Sequence, residues 1–566
     1  MAFGVLLAAS AYAAPPPTFA HDIAPIVYQN CAPCHRPGEA GPFSLLRYED
    51  VKQHAKQIAD VTSRRSMPPW APEAGYGDFL GERRLSDAQI HVIADWVAQG
   101  APEGNPSEIP ALPKFTEGWQ LGPPDMILEA QSAYTLPASG PDVDWNFIFP
   151  ASLGPVAMKS MRYVRAIEIR PGDKRMVHHA NLYVDRARSA RRQEIAPGKG
   201  FPGMDVVIDR PLSEPDDGHF LFWKPGGTPY VEPEGLAWRL DPGNDLVLNA
   251  HLRPTGKPEQ VRPSIGLYFT DDPQEKFPML IDLDQAGAVS DDFRLPMDMD
   301  VLAVYPLASG LGHLLEGYAT LPNGQRKWLI RIPDWNPNSE GAYHYRQPIF
   351  LPRGSVISMR YHDDTSTGAL WLQVLPKPDG QTARGDRRME LEEALMLHRL
   401  EKYPDDFAAH YKAGALRLAR LDPADALPMI EAAVRIQSDD PDARNLLGSA
   451  FVAVGRNTEA IEQFRAALKA RPDYGTARYN LARALVRGGQ YDEAISTFGQ
   501  IVKQFPRDAQ VRDELGRLYL RQGKRDQAAE MFNQALAIDP KDAVARQNRA
   551  DTPGKEPETL PVPARK

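Results

Sequence analysis

The segment Cys-Ala-Pro-Cys-His at residues 31–35 decides how the N-terminal part of the chain folds, because it predicts the group around which that part is built. In c-type haem attachment by Cys-x-x-Cys-His, the two thiols bond to the vinyl groups and the histidine ligates the iron. Cys31 and Cys34 are the only cysteines, so no wider disulfide framework is possible. A zinc site would need further Cys or His ligands at set spacing, and a redox dithiol would need a thioredoxin-like βαβ context. We therefore expect covalent haem at Cys31 and Cys34, with His35 as its proximal ligand.

A methionine supplies the expected sixth ligand of the iron. Thioether ligation raises the potential of a His-ligated haem and suits electron transfer. Met67 lies in the segment Ser-Met-Pro-Pro-Trp at 66–70, where two prolines stiffen the loop and Trp70 offers a flat apolar wall. His54 and His91 are the alternatives, but both lie in helical patterns typical of surface residues. The predicted haem-binding residues are thus Cys31, Cys34, His35 and Met67.

Length and composition predict an exported protein of several domains. The chain has 566 residues and a formal charge of −9 that is spread along it, which gives no case for nucleic acid. The apolar run 3–13 ends in an Ala-x-Ala site and predicts a signal peptide at 1–14. No Lys or Arg precedes that run, so the natural start can lie upstream. The sequence has no run of about 20 apolar residues, so we do not expect a membrane-spanning helix. Because bacteria attach haem c outside the cytoplasm, we expect the periplasm of a Gram-negative bacterium.

Residues 18–104 are predicted to form a small all-α cytochrome c domain. Ser86 and Gln89 form a capping box at the start of its last helix. Ile90 and Ile93 mark the apolar face of that helix, and Gly100 ends it. Prolines then recur up to residue 124, so 105–124 is predicted as a Pro-rich linker.

Residues 125–378 have the pattern of all-β domains. Short alternating runs at 162–169, 177–184, 245–252 and 355–361 are separated by turn signals, which is typical of β-sandwiches. A span of this length holds two such domains, which we place at 125–258 and 259–378.

Residues 391–550 repeat with a period of 34. Small residues recur at Gly414, Gly448, Ala482 and Gly516, and large apolar ones at Ile430, Phe464, Phe498 and Phe532. This spacing predicts a C-terminal α-solenoid of four tetratricopeptide repeats, with 542–550 as a capping helix. Stacked helix pairs form a concave groove for a protein or peptide partner. Residues 551–566 are polar and are predicted to be a disordered tail.

Histidines on two predicted strands suggest a copper or zinc site. His178 and His179 are adjacent in one strand, and His251 ends another. Neutral imidazole is a natural ligand of both metals. Because neighbouring strand residues face opposite sides, His178 and His179 can share a metal only if the strand bulges or the rings use different nitrogens. His219 is a further candidate for this site.

Several motifs in the β region resemble one enzyme family. They are Arg-Pro-Gly-Asp at 170–173 before the His pair, Pro-Thr-Gly-Lys at 254–257 after His251, and Gly-Tyr-Ala-Thr-Leu-Pro-Asn-Gly at 317–324. This pattern resembles the copper type II, ascorbate-dependent monooxygenases, such as peptidylglycine α-hydroxylating monooxygenase. The whole chain resembles bacterial fusions of a Met-Pro-Pro-Trp cytochrome c, such a module and tetratricopeptide repeats.

The resemblance implies two jelly-roll-like domains that each hold one copper. The family's electron-relay copper uses a His pair and a later His, which match His178, His179 and His251. Its oxygen-activating copper uses His-x-His and a later Met. Those positions fall on Leu307, Ser309 and the neighbourhood of Thr367, which lack the required side chains. His313, His344 or His362 could rebuild a second site.

Three functions follow from this resemblance. The first is a periplasmic haem and copper redox protein that transfers electrons to a redox partner and has lost the oxygen-activating copper. The second is an active copper-dependent monooxygenase that uses O2 and haem-delivered electrons. The third is a non-enzymatic haem protein with a β scaffold and a partner-binding repeat domain. Arginines that recur in the repeats would favour an acidic partner segment if they face the groove. They are Arg444, Arg478, Arg512 and Arg546, with Arg483, Arg487, Arg517 and Arg521 on neighbouring turns. The alternative is a solvated helix face on which they form salt bridges with nearby Asp and Glu.

Overall fold

The computed structural model describes residues 15–116, 118–152, 158–203, 218–284, 291–336, 340–363, 367–378 and 387–552. The predicted signal peptide and nearly all of the predicted tail lie outside these residues. The chain forms two compact units that divide after Arg388, and each is described by itself. Within the described residues, no helix is long and apolar enough to cross a membrane.

The first unit begins with helices, here called the helical segment. A π-helical turn at Phe19–Ile23 leads into four α-helices: α1 Ala24–Asn30, α2 Tyr48–Gln53, α3 Ala55–Ser63 and α4 Asp87–Ala98. The predicted capping box is present, since the Ser86 hydroxyl accepts from Gln89 N and the Gln89 side chain accepts from Ser86 N. Phe19 and Trp96 are completely buried in the core of this segment. Gly100 has a φ of +83°, which favours glycine directly after the helix.

Eleven strands follow and form a structure here called the first sandwich. They are β1 Met126–Glu129, β2 Tyr134–Leu136, β3 Val143–Pro150, β4 Arg162–Arg170, β5 Val177–Asp185, β6 Phe201–Pro202, β7 Phe222–Trp223, β8 Trp238–Leu240, β9 Asp245–Leu252, β10 Glu259–Val261 and β11 Ser264–Thr270. One sheet has the order β1-β11-β4-β8 and the other β6-β3-β9-β5-β7, while β10 and β2 pair by themselves. Apolar residues of both sheets share one core, as is typical of two sheets packed face to face. Because β11 pairs with β1 and β4, this sandwich extends to Thr270, beyond the boundary predicted at residue 258.

The second sandwich is built from eight strands. They are β12 Met279–Asp284, β13 Asp291–Arg294, β14 Met299–Ala308, β15 Leu315–Thr320, β16 Arg326–Ile332, β17 Tyr343–Leu351, β18 Val356–Tyr361 and β19 Gly368–Pro376. Its two sheets have the orders β12-β19-β14-β17 and β13-β18-β15-β16. All neighbouring strands in both sheets are antiparallel. The prediction of all-β structure in this region is therefore confirmed for the described residues.

Main-chain hydrogen bonds join the loop after α3 to the edge of the second sandwich. Leu80 N donates to His344 O at 2.8 Å, and Arg346 N donates to Asp78 O at 2.8 Å. Phe79 lies between these bonds, forms an antiparallel bridge with Tyr345 and is 1% exposed. Its ring stacks on that of Tyr345 with 5.0 Å between the centroids. The segment that carries Cys31–His35 is thus fixed to the β structure within one unit.

The second unit is a solenoid of helix pairs. Its helices are α5 Arg388–Lys402, α6 Phe407–Ala419, α7 Pro423–Ile436, α8 Pro441–Ala453, α9 Asn457–Ala470, α10 Gly475–Arg487, α11 Tyr491–Gln504, α12 Ala509–Arg521, α13 Arg525–Ile538 and α14 Ala543–Ala550. The small residues of the repeat lie where paired helices cross. A Cβ added at Gly516 would stand 2.4 Å from the Phe532 ring, and one added at Gly448 would stand 2.6 Å from the Phe464 ring. The predicted capping helix is present as α14.

Two glycines of the solenoid give opposite predictions for the same substitution. Gly516→Ala must push Phe532 aside, and overpacking of about 1–3 kcal/mol outweighs the helix-propensity gain of about 1 kcal/mol. A Cβ added at Gly499 would have no atom within 4 Å, so Gly499→Ala gains helix propensity without overpacking. We expect the first variant to lower the free energy of unfolding and the second to raise it, as measured from the helical circular dichroism signal in urea. A neutral Gly516→Ala would mean that Phe532 adapts, as Phe498 does beside Ala482.

Phe79 provides a test of the junction between the helical segment and the second sandwich. Phe79→Ala removes a completely packed ring and is expected to cost about 3–5 kcal/mol. Leu80→Ala is the matched control, because Leu80 is 43% exposed and its hydrogen bond to His344 O uses only the main chain. The control is expected to change stability by less than about 0.5 kcal/mol. Thermal unfolding of the full chain measures both, and equal shifts for the two variants would contradict the proposed anchoring role.

Candidate functional site

The Cys-x-x-Cys-His segment forms a tight turn at the end of α1. Cys31 caps that helix, and His35 N donates to Cys31 O at 2.9 Å. His35 Nδ1 lies 3.2 Å from Phe43 O and donates to it in the tautomer that leaves Nε2 available as a metal ligand. Burial lowers the pKa of His35, so the imidazole is neutral, as a metal ligand must be.

The thiols of this segment are buried in a way that suits thioether attachment. Burial raises the pKa of Cys31 to about 12 and also raises that of Cys34, although Arg83 opposes the latter shift. Such surroundings stabilise the uncharged thiol over the thiolate that binds zinc. A thioether carries no charge, so the donor set of Cys31, Cys34 and His35 fits covalent haem.

The candidate sixth ligands lie in three different settings. Met67 N donates to Val61 O, and the Met67 side chain is 44% exposed. His54 stacks on Phe43 with 3.7 Å between the ring centroids. His91 Nδ1 lies 2.7 Å from the carbonyl oxygen of Asp87, in its own helix. Met67 stays the predicted ligand, because its helix contact uses only the main chain and its side chain is 44% exposed.

The first sandwich packs directly against Cys34. A Cβ added at Gly226 would stand 2.2 Å from Cys34 Sγ, so only glycine leaves room for the sulfur. Arg83 spans the same contact, since its guanidinium lies 3.8 Å from Cys34 Sγ and also donates to Gly226 O. Gly226 lies three residues beyond β7, and β7 pairs with β5, the strand of His178 and His179. The thiols and the histidine pair are therefore joined through a short loop.

A bulge in β5 brings His178, His179 and His251 together as a group here called the His cluster. The register between β5 and β9 shifts between Val177 and His179, and His179 then pairs with His251. Of the two arrangements that the sequence allowed, the structure thus contains the bulge. Ring centroids within the cluster lie 5.2–5.5 Å apart. The Nδ1 atoms of His178 and His179 are 3.0 Å apart.

Carboxylates surround the third histidine of the cluster. His251 Nδ1 lies 2.9 Å from Asp144, and His251 Nε2 lies 3.2 Å from Asp142. The hydrogen bond to Asp144 is the main reason why the pKa of His251 is raised. By contrast, burial lowers the pKa of His179 to about 3, with His178 and His251 adding to the effect. His179 is therefore a neutral imidazole at physiological pH.

The donor set of the His cluster fits copper, although its rings must move to bind it. No group of three or more His, Cys, Asp or Glu side chains within the described ranges is placed to hold a metal as it stands. The rings are nevertheless adjacent, and copper accepts three imidazoles. His178, His179 and His251 are the residues that would hold copper, and His251 would have to give up one of its two carboxylate contacts to offer a nitrogen.

The positions of the expected second copper contact each other instead of forming a ligand set. Ser309 N donates to Thr367 O at 3.0 Å, and their hydroxyl oxygens are 3.3 Å apart. His313 Nδ1 donates to His362 O at 3.1 Å, but the two rings face different carboxylates, Asp363 for His313 and Glu316 for His362. His344 stacks on Tyr230 instead.

His219 and His344 are held by contacts outside the His cluster. His219 Nε2 donates to Leu236 O at 2.9 Å. His344 stacks on Tyr230 at 3.7 Å, and burial lowers its pKa to about 3, with His219 contributing to the shift. His219 therefore lies close to His344 of the second sandwich.

Sequence reasoning missed the residues that support the His cluster. Asp142 and Asp144 alternate at the start of β3, and Asp144 pairs with His251, so strand periodicity could have suggested them. Tyr305 and Glu340 of the second sandwich also reach the cluster, and the Glu340 carboxylate lies 3.6 Å from His179 Nε2. No local pattern marks these two residues.

The recurring arginines of the solenoid are bonded within their own repeats. Each donates to a backbone carbonyl four to six residues earlier: Arg444 to Ser438, Arg478 to Pro472, Arg512 to Asp508 and Arg546 to Pro540. Arg517 pairs with Asp513 at 2.6 Å. Through these bonds, the four recurring arginines stabilise the turns that precede their helices.

The comparisons with known proteins concern the solenoid. A family model described as tetratricopeptide repeat matches residues 411–475, 445–509 and 479–543. No curated protein matches the chain. Among solved structures, YrrB, described as a TPR protein with an unusual peptide-binding site, is 25% identical over 29% of this chain and 84% of its own, with a TM-score of 0.28. MamA from Desulfovibrio magneticus RS-1 is 24% identical over 26% of this chain and 82% of its own, with a TM-score of 0.25. Residues 411–543 are therefore tetratricopeptide repeats, as the 34-residue period predicts.

Proposed function

We propose that the chain is an exported redox protein that carries electrons between two centres. One centre is a c-type haem held by Cys31, Cys34, His35 and Met67. The other is a single copper held by His178, His179 and His251. The repeats bind a protein or peptide partner, which is the general role of such solenoids. We place this function in the periplasm, because bacteria attach haem c there and an exported redox protein would work there.

The packing of Cys34 against Gly226 carries this proposal. Trp223 of β7 pairs with Ala180 of β5, next to His179. The three residues from Trp223 to Gly226 span at most about 11 Å when extended. The attachment site and the His cluster thus face each other through one short loop of a single unit. This arrangement favours transfer between two bound groups over two independent functions.

In this function the chain positions and insulates the two centres. Each bound group would supply a one-electron couple. Phe43 O orients His35, while Arg83 ties the Cys34 loop to Gly226 and so keeps the distance between the sites constant. Burial of His179 excludes water from that side of the His cluster. These residues hold the sites in place without bond chemistry of their own.

Electron transfer is favoured over hydroxylation by the ligand types of the second sandwich. Leu307 and Ser309 stand where the family resemblance calls for imidazoles, and Thr367 lies near the position of the methionine. Neither a leucine nor a hydroxyl replaces imidazole as a copper ligand. We therefore propose that the oxygen-activating site has been lost and that the remaining centre relays electrons.

Metal and haem content test this proposal directly. The full chain, produced in a periplasm that assembles haem c, is expected to hold about one haem and one copper. A His178→Ala, His179→Ala double variant is expected to retain its haem and lose at least about nine-tenths of its copper, because two of three imidazoles are gone. After photoreduction of the haem, reoxidation by Cu(II) should be seen in the wild type and be absent in the double variant.

A His313→Ala, His362→Ala double variant is the matched control, since it removes two histidines of the second sandwich. It is expected to keep both groups. Two coppers in the wild type, or oxygen uptake with a reductant, would favour a monooxygenase. Full haem without copper would leave a cytochrome with a β scaffold.

A further inference from the structure

Two side chains of the second sandwich reach the His cluster of the first. Glu340 Oε1 lies 3.6 Å from His179 Nε2, and Tyr305 OH donates to the same carboxylate oxygen at 2.5 Å. Lys224, in the loop after β7, donates to the backbone carbonyl of Glu340 at 3.3 Å. Glu340 is therefore fixed at two points: Tyr305 holds its carboxylate, and Lys224 holds its backbone carbonyl.

Aromatic packing holds this arrangement rigid. Tyr305 is 3% exposed, and its ring lies 5.4–5.9 Å from those of Phe220, Phe222 and Trp371. The side chains of His179 and Glu340 are 14% and 17% exposed. In such surroundings a carboxylate that faces an imidazole has few alternative partners, so its orientation determines that of the ring.

We infer that Glu340 and Tyr305 are positioning residues of the copper site, so that the second sandwich controls how tightly the first one binds metal. The Glu340 carboxylate faces His179 Nε2 at 3.6 Å and thereby favours the ring orientation in which His179 Nδ1 faces that of His178. Carboxylates that hold the far nitrogen of a ligating histidine orient it and raise its basicity. The inference rests on the proposed function and deepens it by naming what regulates the copper site.

The contact also gives the two sandwiches unequal roles. Asp142 and Asp144, which flank His251, belong to the first sandwich, so that histidine is oriented from within its own domain. His179 receives its carboxylate from the second sandwich. Any shift between the sandwiches would therefore change the orientation of His179 before that of His251.

Copper affinity and spectra of the full chain test this inference. Glu340→Gln keeps the size of the side chain and removes the carboxylate, and Tyr305→Phe removes only the hydroxyl that fixes it. Both variants are expected to bind copper about 10–100-fold more weakly than the wild type. Their Cu(II) electron paramagnetic resonance spectra at saturating copper should show altered hyperfine couplings, because His179 is no longer held in one orientation. Haem content and the midpoint of thermal unfolding show that each variant is folded.

Glu316→Gln is the matched control. Glu316 is a carboxylate of the second sandwich with 15% side-chain exposure, and it faces His362 outside the His cluster. It is expected to leave copper affinity within about twofold and the spectrum unchanged. Wild-type affinity and spectra in both Glu340→Gln and Tyr305→Phe would overturn the inference while leaving the proposed function intact. Copper that stays bound in the His178→Ala, His179→Ala variant would overturn the proposed function itself.

Discussion

The first unit depends on a junction in which the loop after the predicted sixth ligand is hydrogen-bonded to the edge of the second sandwich. An edge strand presents unpaired main-chain groups, and here the helical segment covers some of them. Asp78, Phe79 and Leu80 supply the cover, while Glu73 N donates to Arg331 O at 2.7 Å on the neighbouring sheet. Lys174 of the first sandwich bonds Glu39 at 2.8 Å, close in sequence to His35. The helical segment therefore bridges both sandwiches, and the Cys34–Gly226 contact follows from that placement.

Local patterns were sufficient to predict elements in both units. The capping box of α4 acts within one turn of a helix, and the small residues of the solenoid recur at a fixed spacing, so their residue types reveal them. The bulge at His179 was one of two arrangements that the sequence allowed, since adjacent histidines can share a metal only if the strand bulges or the rings use different nitrogens. The haem and copper themselves stay predictions, since they depend on chemistry at these positions and not on the fold alone.

Interactions across the sandwiches were beyond the reach of sequence patterns. Glu340 lies in an irregular stretch before β17, where neither helical nor strand periodicity assigns a direction to its side chain. Its approach to His179 depends on how two separate cores pack, and no run of residues encodes that. The same holds for Gly226, whose lack of a side chain matters only because Cys34 Sγ occupies the space. The recurring arginines of the repeats show the opposite case. Their regular spacing suggested a surface for an acidic partner, but in the structure they donate to backbone carbonyls of their own repeats.

In the proposed function, the second sandwich persists without copper ligands of its own, and its contacts offer a physical reason. Ser309 and Thr367 bond each other where ligands would converge, so that region is closed by neutral hydrogen bonds and needs no metal to satisfy them. On another part of the same fold, Tyr305 supports a carboxyl group beside His179. Removing the second sandwich would thus leave the first with an exposed aromatic patch and an unoriented imidazole. In the proposed relay, the second sandwich holds His179 of the first sandwich in place. This role requires Tyr305 and Glu340 to be rigid, and it requires no metal within the sheets of the second sandwich.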